Sequence, residues 1–286
     1  DIPYDGFSET KFDIFLPQTT GPAPLVIFFH GGGFVGGDKK DVYDQDRGQA
    51  EIQALLSKGI AYASVNYRLL TQNGETEGVR KPLHDARRAL QFIRYHAARF
   101  NIDKKRIGLY GASAGAGTAL WIALNSEMAD PGATAPVLRE STRVKAVAAS
   151  GTQATYDIEK WETTVFQYYG LLLPQIVSMA GSNRLFGLYG ISTQTEYSAP
   201  AIAAYRAEVD MLDLMTPDDP PLWLENRNPA TAAPADRNEL FHHYKHAEAL
   251  MERAAAAGIS HIVHMPAKPF KSSGWKELAV FFHEQL

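Results

Sequence analysis

Apolar residues fall into short runs that recur along the whole chain and alternate with stretches of helical spacing. Leu25-Val26-Ile27-Phe28-Phe29 is continuously apolar, as a strand buried on both faces reads. Residues 60–67, 106–110 and 144–150 read the same way, and Leu222-Trp223-Leu224 and Ile259–Met265 supply two more strands. Residues 12–16 alternate apolar and polar, and that strand closes before Pro17. Between these runs, Leu83, Ala86, Leu90, Ile93 and Ala97 form a stripe that predicts a helix within 83–100. Another helix opens near Glu239, carries a stripe through Phe241, Tyr244, Ala247, Leu250, Met251 and Ala254, and stops at Gly258. Strands alternating with helices predict an α/β architecture, a mostly parallel sheet with helices on both faces.

Residues 151–216 do not follow this rhythm. They are long for a connection and rich in aromatics, among them Tyr156, Trp161, Phe166 and Tyr189. A connection of this length inside a compact domain is usually functional. Some of these rings are expected to serve core packing alone, and the rest to wall an apolar binding site.

Composition narrows the classes. With 286 residues, 45% of them hydrophobic and 21% charged, the chain can build one sizeable core, and a single domain over 1–286 is expected. A formal net charge of −4 gives no reason to expect nucleic acid or an anionic membrane surface as partner. The absence of cysteine excludes disulfides, thiolate catalysis and Cys-zinc sites. No apolar run reaches the length of a membrane span. The chain begins at Asp1 rather than Met, which fits a processed or trimmed protein and leaves the compartment open. Oligomeric state is equally open.

Two motifs carry chemistry. Gly111-Ala112-Ser113-Ala114-Gly115 follows the strand-like Arg106–Tyr110 and opens a small-residue stretch. Strand, tight turn, helix is the context of a nucleophile elbow, with Ser113 Oγ raised above the sheet. His30-Gly31-Gly32-Gly33-Phe34 follows the apolar run at 25–29 and exposes successive backbone N–H groups, as acyl transfer requires for its oxyanion. A phosphate loop is a weaker reading, because the G-x-x-x-x-G-K-[ST] spacing is missing.

With these motifs the chain resembles the α/β-hydrolase esterase and lipase group that carries an HGGG oxyanion loop, the group of hormone-sensitive lipases and bacterial carboxylesterases. The resemblance extends through Ala61–Leu69, which ends in Tyr67-Arg68-Leu69, Asp85 in the following helix, Asn101–Ile107 before the serine strand, and Asp218–Leu224. It implies a serine carboxylesterase acting on a small or medium ester, without cofactor or metal. Ser113 would attack, and the N–H groups of Gly32, Gly33 and Ala114 would hold the oxyanion. His30 would brace the oxyanion loop, and 151–216 would be a cap insertion after the sixth strand.

The chain departs from that group where the serine's partners are expected. A serine needs a base, and the base an orienting acid, in the chain order Ser, Asp or Glu, His. After Leu224 the usual Asp is replaced by Asn228 before Pro229, and after Met265 Lys268 or Pro269 stands where a His is usual. His242 and His243 are the substitutes expected to act as base, with Asp236 as the orienting acid. The expected reason is a helix N-terminus at the ligand-binding sheet edge, whose dipole would keep an imidazole neutral. Lys268 as base, His264 near the last strand's end, and Asp218, Asp219 or Glu225 as acid are further options that spacing does not select. His242 and His246 are spaced i, i+4, but without a third ligand no zinc site is expected. The alternative function is a hydrolase-like scaffold that binds a small ligand without turnover, as in gibberellin receptors, which resemble the same group and lack the histidine.

Overall fold

The protein is described by a computed structural model covering residues 1–71 and 74–286. Among these residues nine strands form one sheet: β1 (Ile2–Pro3), β2 (Lys11–Phe15), β3 (Ala23–Phe29), β4 (Ala61–Val65), β5 (Ile102–Ala112), β6 (Ala146–Ser150), β7 (Leu222–Glu225), β8 (His261–Met265) and β9 (Phe270–Lys271). Their spatial order is β1-β2-β4-β3-β5-β6-β7-β8-β9. The six strands from β4 to β8 in that order run parallel, and β1, β2 and β9 pair antiparallel at the edges. The helices are α1 (Asp46–Ser57), α2 (Arg80–Tyr95), α3 (Ala114–Leu124), α4 (Leu173–Ala180), α5 (Ser182–Leu188), α6 (Gln194–Tyr197), α7 (Pro200–Glu208), α8 (Met211–Leu214), α9 (Arg237–His242), α10 (Tyr244–Ala257) and α11 (Leu278–Gln285).

The continuous apolar runs are explained by burial on both faces. Leu25, Ile27 and Phe29 of β3 enter one core together with side chains of α2, α3 and α10. Val26 and Phe28, pointing the other way, join a second core with Ile52 and Leu55 of α1 and Phe281 and Phe282 of α11. The parallel sheet with helices on both faces is thus present as expected. The C-terminal helix α11, which the sequence reading did not single out, supplies much of the second face.

Chain order positions the site. From β3 the chain moves outward to β4, then returns to place β5 on the other side of β3. The loops leaving β3 and β5 therefore diverge and open a crevice at the strands' C-terminal ends, where open α/β sheets bind ligands. The loop after β3 is His30–Gly33, and the turn after β5 holds Ser113.

Two elements differ from expectation. The helix expected from 239 onward is two helices, because the backbone turns extended at His243 (φ −61°, ψ 143°). The His243 side chain then caps α10 by accepting the N–H of Lys245 at 3.2 Å. The irregular segment between β6 and β7 folds into short helices, α4 to α8, that pack back on the domain. Tyr156, Trp161, Phe166 and Tyr189 are all buried there, and the N–H of Val79 donates to Leu188 O across the segment's edge at 2.7 Å.

Packing is close where β5 meets α11. A Cβ built on Gly108 would stand 2.6 Å from the Phe282 ring, and Phe282 is fully buried. Gly108→Ala is therefore expected to lower stability by about 1–3 kcal/mol through overpacking. Gly36→Ala, where a Cβ meets nothing within 4 Å, is expected to stay within about 0.5 kcal/mol of the parent. Urea unfolding of the two variants measures both, and equal midpoints would contradict this account of the sheet–helix contact.

Candidate active site

Ser113 occupies a strained turn. Its backbone sits at φ 51°, ψ −120°, a region that non-glycine residues rarely enter. The turn closes only because its flanking residues lack side chains. A Cβ on Gly111 would lie 2.1 Å from Gly115 O, and one on Gly115 would lie 2.0 Å from Phe29 O. The N–H of Ser113 is tied to Ser150 O on the neighbouring strand at 2.9 Å. The hydroxyl is thereby lifted out of the sheet at the start of α3.

The glycine loop lies against this turn. Gly32 (φ 102°) and Gly33 (φ 59°) both take left-handed backbone. The N–H groups of Gly32, Gly33 and Ala114 donate to no protein acceptor among the described residues. His30 braces the loop from beneath. It is stacked on Tyr67 with centroids 4.4 Å apart, its Nδ1 lies 2.7 Å from Gly31 O, and Tyr67 Oη donates to His30 O at 2.6 Å. Burial pulls the His30 pKa below the ordinary imidazole value, so the ring stays neutral and Nδ1–H is the donor to Gly31 O.

His242 is the imidazole brought to Ser113, with Nε2 2.8 Å from Oγ. Its Nδ1 lies 3.0 Å from Asn238 O and 3.0 Å from Asn238 Oδ1. A backbone carbonyl can only accept, so Nδ1 carries the proton and the Nε2 lone pair faces the serine. Asn238 is one helical turn before His242, and that i, i+4 spacing was the available signal in the sequence.

The short helix α9 is pinned at its end, and this fixes the ring's position. Terminal carbonyls of a helix lack intrahelical partners. Here side chains from different elements take them: His246 Nε2 lies 2.9 Å from Leu240 O, Gln153 Nε2 donates to Phe241 O at 2.7 Å, and Asn226 Nδ2 donates to His242 O at 2.9 Å. Burial pushes the His246 pKa down to about 3, and its Nδ1 accepts from Ala154 N–H at 3.1 Å, so Nε2–H is available to donate. Asn226, directly after β7, carries no signal in the sequence that sets it apart from Asn228.

The other residues singled out above lie elsewhere. Asp236 is not beside His242. Its carboxylate caps α9 by accepting the N–H of Glu239 at 2.8 Å, the ordinary work of an Asp at that position. His243 turns away into the core, with Nε2 2.9 Å from Ala232 O. His242 is the last residue of α9 rather than at a helix N-terminus, so the dipole there favours the charged form. Burial is what lowers its pKa below the ordinary value, against the opposing pull of the Asn238 carbonyl. Asn228 closes a turn by accepting the N–H of Ala230 at 2.9 Å, and Lys268 is paired with Glu248. Glu225 is paired with Arg47 at 3.1 Å and Arg227 at 2.9 Å, and His264 Nδ1 lies 3.6 Å from Glu225 rather than at Ser113. Asp219 binds Arg143 at 3.2 Å and Asp218 accepts from Thr216 at 2.6 Å. No group of three or more potential metal ligands occurs among the described residues.

A cavity of about 630 Å³ opens over Ser113 and His242. Its walls come from the glycine loop, from Leu70 and Glu75 after β4, and from Tyr156, Trp161, Arg184 and Phe186 of the segment between β6 and β7. No helix among the described residues is long and apolar enough to cross a membrane.

Comparison with known proteins agrees with this architecture. The BD-FAE family model matches residues 12–167. The chain is 30% identical over 146 residues to a probable isoprenylcysteine alpha-carbonyl methylesterase of Arabidopsis thaliana, covering 51% of this chain and 29% of that protein. It is 31% identical over 139 residues to carboxylesterase patB of Penicillium expansum, covering 44% and 25%. The chain thus spans less than a third of the length of these curated relatives. Among solved structures, a truncated carbohydrate esterase from gut microbiota superposes with a TM-score of 0.70 at 18% identity, covering 99% of this chain and 94% of that one, which establishes the shared α/β-hydrolase fold. The matched segment takes in the glycine loop and the serine turn and exceeds half of the chain, and the chain belongs to the BD-FAE family, a carboxylesterase-type family of α/β-hydrolases.

Proposed function

We propose that the chain hydrolyses carboxylic esters with Ser113 as nucleophile, His242 as base and Asn238 as a neutral orienting residue. The observation that carries this reading is the 2.8 Å contact from Ser113 Oγ to His242 Nε2, combined with Nδ1 committed to Asn238. As Oγ bonds to the ester carbonyl carbon, its proton passes to Nε2. The carbonyl oxygen gains the charge and is held by the N–H groups of Gly32, Gly33 and Ala114. Collapse of the adduct breaks the bond to the alcohol oxygen, which takes the proton back from Nε2. Water then attacks the acyl-serine by the same route and frees the acid.

An orienting residue has two tasks, fixing the tautomer and stabilising the imidazolium that forms. Asn238 performs the first through two acceptors and contributes no charge to the second. We read residues 151–216 as the cap of this site, supported by the cavity wall formed by Tyr156, Trp161, Arg184 and Phe186. A cavity of this size suits small and medium esters. The reading without turnover is the weaker one, because the precedent for it lacks the histidine, whereas here His242 Nε2 lies 2.8 Å from Ser113 Oγ.

Ser113→Ala is expected to abolish hydrolysis of short p-nitrophenyl esters and labelling by a fluorophosphonate. His242→Ala is expected to lower kcat by about 10³-fold or more while leaving KM within a few-fold. Failure of the parent protein to hydrolyse or to be labelled would overturn the proposal.

The pH profile follows from burial. His242 must be neutral to act, and its pKa lies below the ordinary imidazole value. Activity should therefore be fully present at neutral pH and fall only as pH drops below about 6.5. Asn238→Asp places a carboxylate beside Nδ1, favours the imidazolium, and should move the acid limb of kcat/KM upward by about 1 to 2 pH units. An unmoved limb would show that the titrating base is another group.

A further inference from the structure

The cavity over Ser113 is lined by a cation, Arg184, that forms no ion pair among the described residues. Among the described residues no carboxylate lies within salt-bridge distance of Arg184, on the cavity wall, or of Arg237, on the first turn of the His242 helix. The Arg184 head packs directly on the glycine loop. Its Nη2 lies 3.3 Å from Gly33 O, and a Cβ on Gly33 would stand 1.8 Å from that nitrogen. The guanidinium also faces the Phe241 ring, 5.4 Å from its centroid. Beyond that single long hydrogen bond, the other N–H groups of this five-donor fork on the cavity wall have no protein acceptor among the described residues.

The second guanidinium is close by. Arg237 Nη2 lies 3.2 Å from where a Cβ of Gly181 would stand, and Gly181 is the residue from which the Arg184 helix starts. Burial, and then the like charge of Arg237, both disfavour the Arg184 cation. Arginine cannot relieve this by losing its proton.

The carboxylate that lines the same cavity is already committed. Glu75 accepts N–H groups from Thr71, Thr76, Glu77 and Gly78 and is bonded to Lys81 at 2.5 Å. Burial opposes its charge, but the Lys81 bond and these N–H groups outweigh it and hold its pKa down to about 2. It balances Lys81 and has no contact with Arg184.

We infer that Arg184, backed by Arg237, recognises a free carboxylate on the substrate, so that this site takes esters of acidic molecules: half-esters of dicarboxylic acids or esters of hydroxy acids. This rests on the hydrolytic reading of Ser113 given above. Arg184 touches Gly33, and the N–H of Gly33 belongs to the oxyanion loop in that reading. The carboxylate therefore sits a few bonds from the scissile carbonyl. A planar guanidinium with free paired N–H groups matches a carboxylate in a bidentate manner.

Titration calorimetry on the Ser113→Ala protein tests recognition apart from turnover. Two matched pairs are compared: p-nitrophenyl hemisuccinate with p-nitrophenyl pentanoate, and 4-acetoxybenzoate with phenyl acetate. In at least one pair the acidic member should bind about tenfold tighter or better, and Arg184→Gln should remove that preference. Arg184→Lys, which keeps the charge and loses the fork, should retain part of it, and serves if the Gln variant melts early. Raised salt should weaken the preference. Equal affinities within both pairs, or a preference that survives both substitutions, would overturn the inference. If the parent protein hydrolyses the neutral esters without discrimination, the carboxylate site alone falls. If acidic ligands bind through Arg184 and no ester is turned over, the hydrolytic reading falls and the carboxylate site stands.

Discussion

The backbone at Ser113, held at φ 51° and ψ −120°, is the constraint around which the rest of this structure is arranged. Such a conformation costs about 1–3 kcal/mol and persists only where the surroundings leave no alternative. Gly111 and Gly115 supply the room, β6 supplies the acceptor for the Ser113 N–H, and α3 begins at once with Ala114. The glycine loop after β3 then fits against the turn, because β3 and β5 are neighbours in the sheet although α1, β4 and α2 separate them in the chain. A change in strand order would keep both motifs and separate them in space.

A second economy concerns the imidazole. His242 belongs to a helix of six residues, too short to be stable alone. Its position derives from side chains that occupy the helix's last carbonyls, namely His246, Gln153 and Asn226. These come from α10, from the start of the segment after β6, and from the end of β7. Three separate elements thereby fix one ring, and none of these side chains hydrogen-bonds to Ser113. Asn226 stands near the place where the related hydrolases carry an acid, and here it holds the histidine's backbone instead of its ring.

Local signals in the sequence were read well, and signals that depend on three-dimensional convergence were not. Apolar and alternating runs mark seven of the nine strands among the described residues, β2 to β8, near their positions, because a buried face leaves its pattern in the strand's own residues. The two-residue edge strands and the helices of the segment after β6 carried too little periodicity. Ser113 and the glycine loop were legible for the same reason as the strands, since elbow and loop are each set by adjacent residues. The charge expected of an orienting group points to Asp236, although an Asp at that position is engaged by the helix it starts. Asn238, at i, i+4 on the same helix, is the simpler geometric candidate. Its amide carries no charge and so lacks the feature that marks an orienting acid in a sequence.

The absence of a charge beside His242 and the presence of an unbalanced one at Arg184 bear on each other. In the proposed mechanism an imidazolium forms on His242 at the moment of attack. Asn238 gives it no counter-charge, Glu75 is spent on Lys81, and Arg184 adds a positive field in the same cavity. With a neutral ester this field opposes protonation of His242, though it favours the oxyanion beside Gly33. A substrate carboxylate bound at Arg184 would cancel both parts of that field; the oxyanion would keep the loop's N–H groups, whereas the imidazolium, which has no counter-charge of its own, would gain most from the cancellation. A site with a neutral orienting residue is thus electrostatically better suited to an acidic ester than to a neutral one. The same reasoning explains why a carboxylate from the protein is not needed at both places: the substrate would bring the negative charge with it.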